Sequence, residues 1–464
     1  MTFYLTLIIS TGLIIYLQML LWKKTKNFLL VLPTLFLYYW SMLGAWFITY
    51  DLFNNNKLEN YGLHYYGYFQ KLFAIELNGD YLKSIIYYAL YIICYQLTCL
   101  FLIKKPQEQN GKKPITINHN LVFLISGLSL VLSYIFIRRQ LEEASLNHES
   151  IYLFISHNNG KFYSLFQLFK SFSVLTAFTG FMIYLDRDQA LQIASKPIKY
   201  GMVKYLLLIT IVLFFTLIIG SRHDIVFSGL FTIIFSFINR KKVSPKNMVI
   251  VALTLMVPIF LIELTRAMPV LDALHLNMGE APKEATQHFS GIQAVTSLVF
   301  SNEIFSGHMS MYGAIHYQVP ITYGSSFATL AYSLVPRLIL PNRPPDIYQH
   351  YITIAQNPGV QGFTINHITG WYLNFGVIGV ILGGIALGAL FAFIWNIFPK
   401  NMSEKRTLVR FMMILAIPGF IASIPMIIRT GPEGYKSVIL EGMVIPAVLF
   451  WAASLNSEKK HYEL

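Results

Sequence analysis

The sequence predicts an all-α, polytopic integral membrane protein with about eleven transmembrane helices. Hydrophobic residues make up 55% of the chain and charged residues only 12%, and the mean hydropathy is +0.53. Soluble domains are about 25% charged. The apolar residues are grouped into segments of roughly the 20 residues that a helix needs to cross a bilayer. The net charge of +13 falls largely in the loops between these segments, so no nucleic-acid partner is predicted.

The apolar segments can be followed along the chain as candidate spans. Two of them, Asp224–Asn239 and Asn247–Glu263, are short and are expected to tilt little. The predicted spans are Phe3–Trp22, Phe28–Tyr50, Leu82–Ile103, Asn120–Ile137, Tyr163–Leu185, Val203–Gly220, Asp224–Asn239, Asn247–Glu263, Trp371–Phe398, Thr407–Ile428 and Tyr435–Leu455.

The distribution of Lys and Arg orients these spans. Basic residues concentrate in every second loop, which by the positive-inside rule is the cytoplasmic side. The N-terminus is therefore predicted to lie outside and the C-terminus inside. The basic groups are Lys23, Lys24 and Lys26; Lys104, Lys105, Lys112 and Lys113; Arg187, Lys196, Lys199 and Lys204; Arg240, Lys241, Lys242 and Lys246; Lys400, Lys405, Arg406 and Arg410; and Lys459 and Lys460.

Three regions follow from this topology. Residues 1–264 hold the N-terminal spans, 265–370 form one large outside loop, and 371–464 hold the C-terminal spans. Within the loop, Phe327–Leu340 is apolar but too short to span, which predicts a re-entrant or interfacial helix. Asp346–Gln356 follows a proline-rich stretch and predicts a short helix.

The span that begins at Trp371 carries a stripe of small residues. A helix face of this kind lets a neighbouring helix approach closely. We therefore predict close packing of this span and assign the stripe no chemistry. Its members are Gly376, Gly379, Gly383, Gly384 and Gly388.

Arginines recur at the predicted outer boundary of the membrane. The guanidinium group binds phosphates through two parallel hydrogen bonds, and a leaving diphosphate needs its growing negative charge stabilised. The sequence shows no acidic metal-binding cluster in the outside loops, so arginines rather than a metal ion are predicted to do this, and no cofactor is predicted. The alternative is that arginines at helix ends only anchor the interface, which is the role assigned to Arg138 and Arg139. The candidate diphosphate ligands are Arg222, Arg266, Arg337, Arg343 and Arg429.

Two residues are candidates for the general base. His367 lies directly before a span, and imidazole can accept a proton at neutral pH. Glu433 follows Arg429 in the last outside turn and is the alternative candidate to His367. A carboxylate beside a bound diphosphate is disfavoured by like charge, which favours His367, although a histidine that only bonds a backbone carbonyl remains an alternative. His350 is interpreted as a structural contact on a helix surface.

Several segments together resemble one family. They are the Gly220-Ser221-Arg222 turn, the loop segment Val335–Pro344 with its two arginines, the span entry Tyr372–Gly376, and the turn at Arg429. In their order, and over about residues 200–440, they are similar to the Wzy-type oligosaccharide repeat-unit polymerases of bacterial surface polysaccharides. Within that family the chain resembles the branch that contains the enterobacterial common antigen polymerase.

The resemblance implies the fold of the integral membrane glycosyltransferases, which O-antigen ligases share. It implies a metal-independent transfer of a glycan from undecaprenyl diphosphate to a lipid-linked repeat unit at the outer face of the bacterial cytoplasmic membrane. Arg222, Arg337 or Arg343, and Arg429 would contact the diphosphate. The implied partners are the lipid-linked oligosaccharide, membrane lipid, a chain-length regulator and a flippase. The alternatives are an O-antigen ligase, which transfers the glycan to a lipid acceptor, and a transporter or flippase for lipid-linked oligosaccharide.

Overall fold

The computed structural model describes the chain in separate stretches. These are residues 1–25, 30–54, 75–104, 115–147, 154, 163–185, 193–195, 200–219, 302–333, 347–354, 365–397, 424–430, 448 and 451–452. The described residues divide into two compact units, each of which is treated separately. Of the predicted spans, Asp224–Asn239 and Asn247–Glu263 lie outside the described residues entirely, and Thr407–Ile428 and Tyr435–Leu455 largely so.

The described secondary structure is helical apart from two three-residue strands. Among the described residues, five helices are long and apolar enough to cross a membrane, so the prediction of a helical membrane protein is confirmed. The helices are α1 (Thr2–Thr25), α2 (Leu32–Tyr38), a π-helical segment (Tyr39–Leu43), α3 (Gly44–Phe53), α4 (Gly79–Leu102), α5 (His119–Leu146), α6 (Tyr163–Leu185), α7 (Gly201–Ile219), α8 (Asn302–His316), α9 (Ser325–Ser333), α10 (Ile347–Ile354), α11 (His367–Ile397) and α12 (Ile424–Thr430); the strands are β1 (Ile115–Ile117) and β2 (Ile193–Ser195).

The first unit is organised around α4, which packs against α1, α8 and α11. The α4 helix begins at an N-cap: the Asn78 side chain accepts hydrogen bonds from the backbone N–H groups of Asp80 and Tyr81, both at 3.0 Å. This cap satisfies two of the N–H groups that every helix start leaves open. The buried face of α4 is rich in tyrosine, and Tyr81, Tyr88, Tyr91 and Tyr95 are fully buried. Buried hydroxyl groups need hydrogen-bond partners, and those of Tyr81, Tyr88 and Tyr91 are hydrogen-bonded to neighbouring elements.

The glycine stripe of α11 packs closely on α4, as predicted. A Cβ atom added at Gly384 would lie 2.6 Å from the Tyr91 carbonyl oxygen, and one added at Gly388 would lie 2.6 Å from that of Tyr95. The Cys99 thiol donates to the Gly388 carbonyl oxygen at 3.4 Å. Real Cβ atoms do not approach so closely, so only glycine fits at these two positions.

The second unit contains β1, α5, β2, α6 and α7. The two strands are parallel, with Ile115 opposite Ile193. The α5, α6 and α7 helices share an apolar interface in which Ile137, Phe166 and Ile219 are buried together.

The α5 helix is longer than predicted. It runs to Leu146, whereas the predicted span ends at Ile137. The extra turns are polar and carry two (i, i+4) ion pairs, Arg138 to Glu142 at 2.7 Å and Arg139 to Glu143 at 2.9 Å. Such pairs support an exposed helix, which explains why the helix continues beyond its apolar part.

Candidate functional site

The candidate site lies where α11 reverses direction. Inside this helix, Phe375 and Gly376 are not helical, and Gly376 has a φ angle of 62°, a left-handed conformation that glycine adopts readily. A Cβ added at Gly379 would lie only 2.1 Å from the Trp371 carbonyl oxygen, and one added at Gly383 would lie 2.6 Å from the Trp371 ring. These approaches show that α11 folds back on itself as a hairpin, with a first arm over 367–374 and a second arm over 377–397.

The predicted span starts inside the hairpin. Trp371 belongs to the first arm, and the second arm begins after Gly376. The second arm of about 21 residues is about 30 Å long, enough to cross a bilayer. Its apolar sequence continues that of the first arm, so hydropathy alone shows one uninterrupted segment.

The tip of the hairpin is held by the segment before α9. Thr322 donates its backbone N–H to the Leu373 carbonyl oxygen at 2.8 Å. The Asn374 side-chain oxygen accepts from the Thr322 hydroxyl at 3.1 Å and from the Ser326 N–H at 3.3 Å. Irregular backbone at membrane depth is tolerated only where it is buried in protein or lines a water-filled cavity, and here protein groups satisfy it.

The first arm runs antiparallel to α4. His367 Nδ1 is hydrogen-bonded to the Tyr91 hydroxyl at 3.1 Å, and the rings of Tyr372 and Tyr87 stack at 5.7 Å. Tyr91 lies midway along α4, about 18 Å from its start at 1.5 Å per residue. The first arm therefore reaches from the N-terminal end of α4 to its middle. His367 lies at the end of the arm beside the middle of α4, which we call the deep end.

A network of polar side chains fixes this deep end. The Asn366 side-chain amide donates to the Tyr88 hydroxyl at 2.9 Å, to the Gly307 carbonyl oxygen at 2.9 Å and to the Trp40 carbonyl oxygen at 3.1 Å. Its oxygen accepts from the Thr369 N–H at 2.8 Å, which caps the first arm. The Tyr88 hydroxyl also donates to Gly307 and is 3.0 Å from the Thr369 hydroxyl. One asparagine thus joins α11, α4, α8 and the π-helical segment.

The α8 helix enters the same network at Gly307 and His308. A Cβ added at Gly307 would lie 2.4 Å from the Trp40 carbonyl oxygen, so α8 touches the π-helical segment directly. His308 Nδ1 is 3.0 Å from the Ser41 carbonyl oxygen, which can only accept, so Nδ1 carries a proton. Burial lowers the pKa of His308 to about 4. Two carbonyl groups of the π-helical segment therefore accept hydrogen bonds from other elements, a use typical of π-bulges.

The α8 helix and the start of the first arm, residues 367–370, were predicted within the outside loop 265–370. Both lie beside the first half of α4, with Tyr88 in contact with Gly307 and with Thr369. Residue 370, the predicted end of the loop, lies within the first arm. The predicted helix Asp346–Gln356 is observed as α10, and Phe327–Leu340 begins within α9. His350 Nε2 is 3.3 Å from the Pro320 carbonyl oxygen, in agreement with a structural role.

Only part of the predicted catalytic set can be located. His367 is fully buried. Arg429 is half-buried in the last turn of α12, which packs on α2 and α11. The other predicted residues lie outside the described part of the chain, and they are Arg222, Arg266, Arg337, Arg343 and Glu433.

The sequence did not single out Asn366, Tyr88, Gly307 or His308. A faint signal was present for Asn366, because an asparagine before an apolar helix predicts an N-cap. Nothing in the sequence relates Tyr88 to Gly307 across more than two hundred residues. Among the described residues, no group of three or more His, Cys, Asp or Glu side chains could hold a metal ion.

The chain was compared with family models, curated proteins and solved structures, and none of the three matches it.

Proposed function

We propose that the chain polymerises oligosaccharide repeat units carried on a polyprenyl diphosphate, at the outer face of the bacterial cytoplasmic membrane. The observation that carries the proposal is the position of Arg429. Its side chain is half-buried in a helix that packs on α11, whereas an arginine that only anchors the interface extends into lipid headgroups. Ionisable groups held within a membrane bundle mark functional sites by default.

In this proposal the arginines act on the leaving group. As the bond between the anomeric carbon and the diphosphate breaks, negative charge grows on the diphosphate, and guanidinium groups stabilise it. Arg222, Arg266 and either Arg337 or Arg343 would act with Arg429. His367 and Glu433 are the two candidate proton acceptors that the sequence predicted. For His367 this requires breaking the hydrogen bond to Tyr91.

The proposal includes eleven spans with the N-terminus outside. Cysteines placed at Lys112 and Gln361 test this topology, because only the second would face outward. An impermeant thiol reagent should label Gln361→Cys in intact cells and leave Lys112→Cys unlabelled. Equal labelling of the two variants would reject the orientation.

Activity is tested with purified protein and purified lipid-linked repeat unit. A polymerase converts the repeat unit into a ladder of lengths on a gel without a nucleotide sugar. An O-antigen ligase makes product only when a lipid acceptor is added. If folded wild-type protein forms no ladder, the polymerase proposal is rejected.

The hairpin of α11 favours a transporter as the second candidate. Transporters build their sites from interrupted helices near the middle of the bilayer, and the first arm ends beside the middle of α4. A transporter would move lipid-linked oligosaccharide across liposome membranes without changing it covalently. A flipped but unextended substrate would therefore select this alternative.

A further inference from the structure

A histidine and an aspartate meet at the N-terminal end of α4. Asp80 lies in the first turn of α4 and His316 in the last turn of α8. His316 Nδ1 is 3.6 Å from Asp80 Oδ2, and the two side chains are 36% and 32% exposed. The other carboxylate oxygen of Asp80 accepts from Lys83 Nζ at 3.0 Å. The pair is therefore open to solvent on one side.

The surrounding residues hold the imidazole ring in place. The ring of His316 stacks on that of Tyr312 at 5.2 Å with an angle of 12°, and Tyr317 meets its edge at 5.3 Å. The Tyr312 hydroxyl accepts from Asn78 Nδ2 at 3.3 Å. Asn78 is also the N-cap of α4 and accepts from the Asp80 N–H. A single asparagine thus positions both members of the pair.

Three other described histidines of this unit have different surroundings. One is His350, whose Nε2 is 3.3 Å from the Pro320 carbonyl oxygen. His367 and His308 are fully buried, the first against Tyr91 and the second against the Ser41 carbonyl. A hydroxyl group of an incoming sugar could not reach either ring without displacing helices. His316 is exposed, and a carboxylate at Nδ1 leaves Nε2 as the nitrogen that can accept a proton, the arrangement used by general bases.

We propose that His316 is the proton acceptor of the transfer reaction and that Asp80 is its positioning residue. This inference rests on the proposed polymerase function. The acceptor hydroxyl oxygen attacks the anomeric carbon and forms the new glycosidic bond. The bond from that carbon to the diphosphate oxygen breaks, and the diphosphate leaves with the electron pair. The hydroxyl proton passes to His316 Nε2, and Asp80 stabilises the resulting imidazolium.

The described ionisable groups near the pair belong to α4, to the segment before α4 and to α8. Asp80 and Lys83 belong to α4, Glu76 precedes that helix, and Tyr312 and Tyr317 belong to α8. Burial raises the pKa values of Tyr312 and Tyr317, so both phenols are neutral at neutral pH. A solvent-exposed ion pair contributes little to stability. Removing the pair should therefore alter catalysis far more than folding.

The test measures ladder formation by purified His316→Gln, Asp80→Asn and wild-type protein from pH 5 to 9. A positioned base contributes about 10²–10⁴-fold, so His316→Gln should lose kcat by that factor with KM unchanged. Asp80→Asn should lose less kcat than His316→Gln, again with KM unchanged, because the base remains and only its positioning is weakened. Lys83→Gln removes the other partner of Asp80 and is the matched control, expected near the wild-type rate.

The outcomes separate the two claims. If wild-type protein forms no ladder, the proposed function fails and this inference falls with it. If wild type forms a ladder and folded His316→Gln matches it, the inference alone is overturned. Should His316→Gln fail to fold, the kcat of folded Asp80→Asn decides: a kcat equal to that of wild type rejects the pair. Loss of kcat in His367→Gln with none in His316→Gln would return the base to His367.

Discussion

Replacing Asn366 by alanine should loosen the α11 hairpin from the rest of its unit. The Asn366 amide donates to groups on α4, α8 and the π-helical segment, and its oxygen caps the first arm at Thr369. Alanine removes all of these bonds and adds no clash. The expected effect is a loss of stability and of the fixed position of His367, the next residue.

The size of the effect follows from which partners are left without a donor. Loss of an N-cap costs about 1 kcal/mol, and a buried carbonyl left unsatisfied costs about 1–3 kcal/mol. The Gly307 carbonyl keeps Tyr88 and Ser310 as donors, so it adds little. The Trp40 carbonyl loses its bond to Asn366. The free energy of unfolding should therefore fall by about 2–4 kcal/mol.

Asn396 at the other end of α11 provides the control. It also bridges α11 to the end of α4, donating to the Leu102 carbonyl at 2.8 Å and accepting from the Lys104 N–H at 2.8 Å. These bonds are exposed, so water replaces them in Asn396→Ala and the loss should stay below about 1 kcal/mol. Thermal unfolding of both variants in detergent measures the difference. Equal shifts in melting temperature would refute the argument that the buried network holds the hairpin.

Three further predictions concern substitutions of single residues. Gly388→Val should destabilise the protein because its side chain would meet the Tyr95 backbone, whereas Gly12→Val, which has open space, should not; melting temperatures in detergent decide. Arg222→Lys should lose most polymerising activity, because lysine keeps the charge and loses the two-pronged contact, while Arg138→Lys should stay near normal at matched protein level. Since the folded pKa of His308 is about 4 and free histidine titrates near 6.5, stability should fall as the pH drops from 6.5 to 4, and His308→Gln should flatten that part of the curve.

The hairpin shows what hydropathy does and does not determine. The sequence correctly predicted helices at α1, α4, α6 and α7, because a long apolar segment in a bilayer satisfies its backbone hydrogen bonds by forming a helix. In α11 two shorter helical arms satisfy the backbone equally well, since both arms are apolar and both are buried in protein. The left-handed Gly376 decides between them, and a glycine inside an apolar run is too common to reveal a reversal.

The candidate site was harder to predict than the spans. His367 was predicted to lie before a span and is instead the first residue of α11, where it is hydrogen-bonded to Tyr91, far away in the sequence. The pair of Asp80 and His316 was not predicted at all, because each residue alone is an ordinary polar residue at a helix end. Their meeting is a property of how α8 packs on α4, which the sequence pattern does not encode locally.

The contacts of the hairpin also bear on the choice between enzyme and transporter. A moving first arm would have to break the bonds of Asn366, His367 and Thr369 to α4, each worth roughly 0.6 kcal/mol in a membrane bundle. It would also separate the tip from Thr322, leaving irregular backbone without partners, where each unsatisfied group costs several kcal/mol. Both free-energy costs oppose movement of the first arm, so they favour a hairpin that stays in place. A fixed hairpin suits a site where substrates arrive at a preformed surface beside the N-terminal end of α4, which is what catalysis by positioning requires.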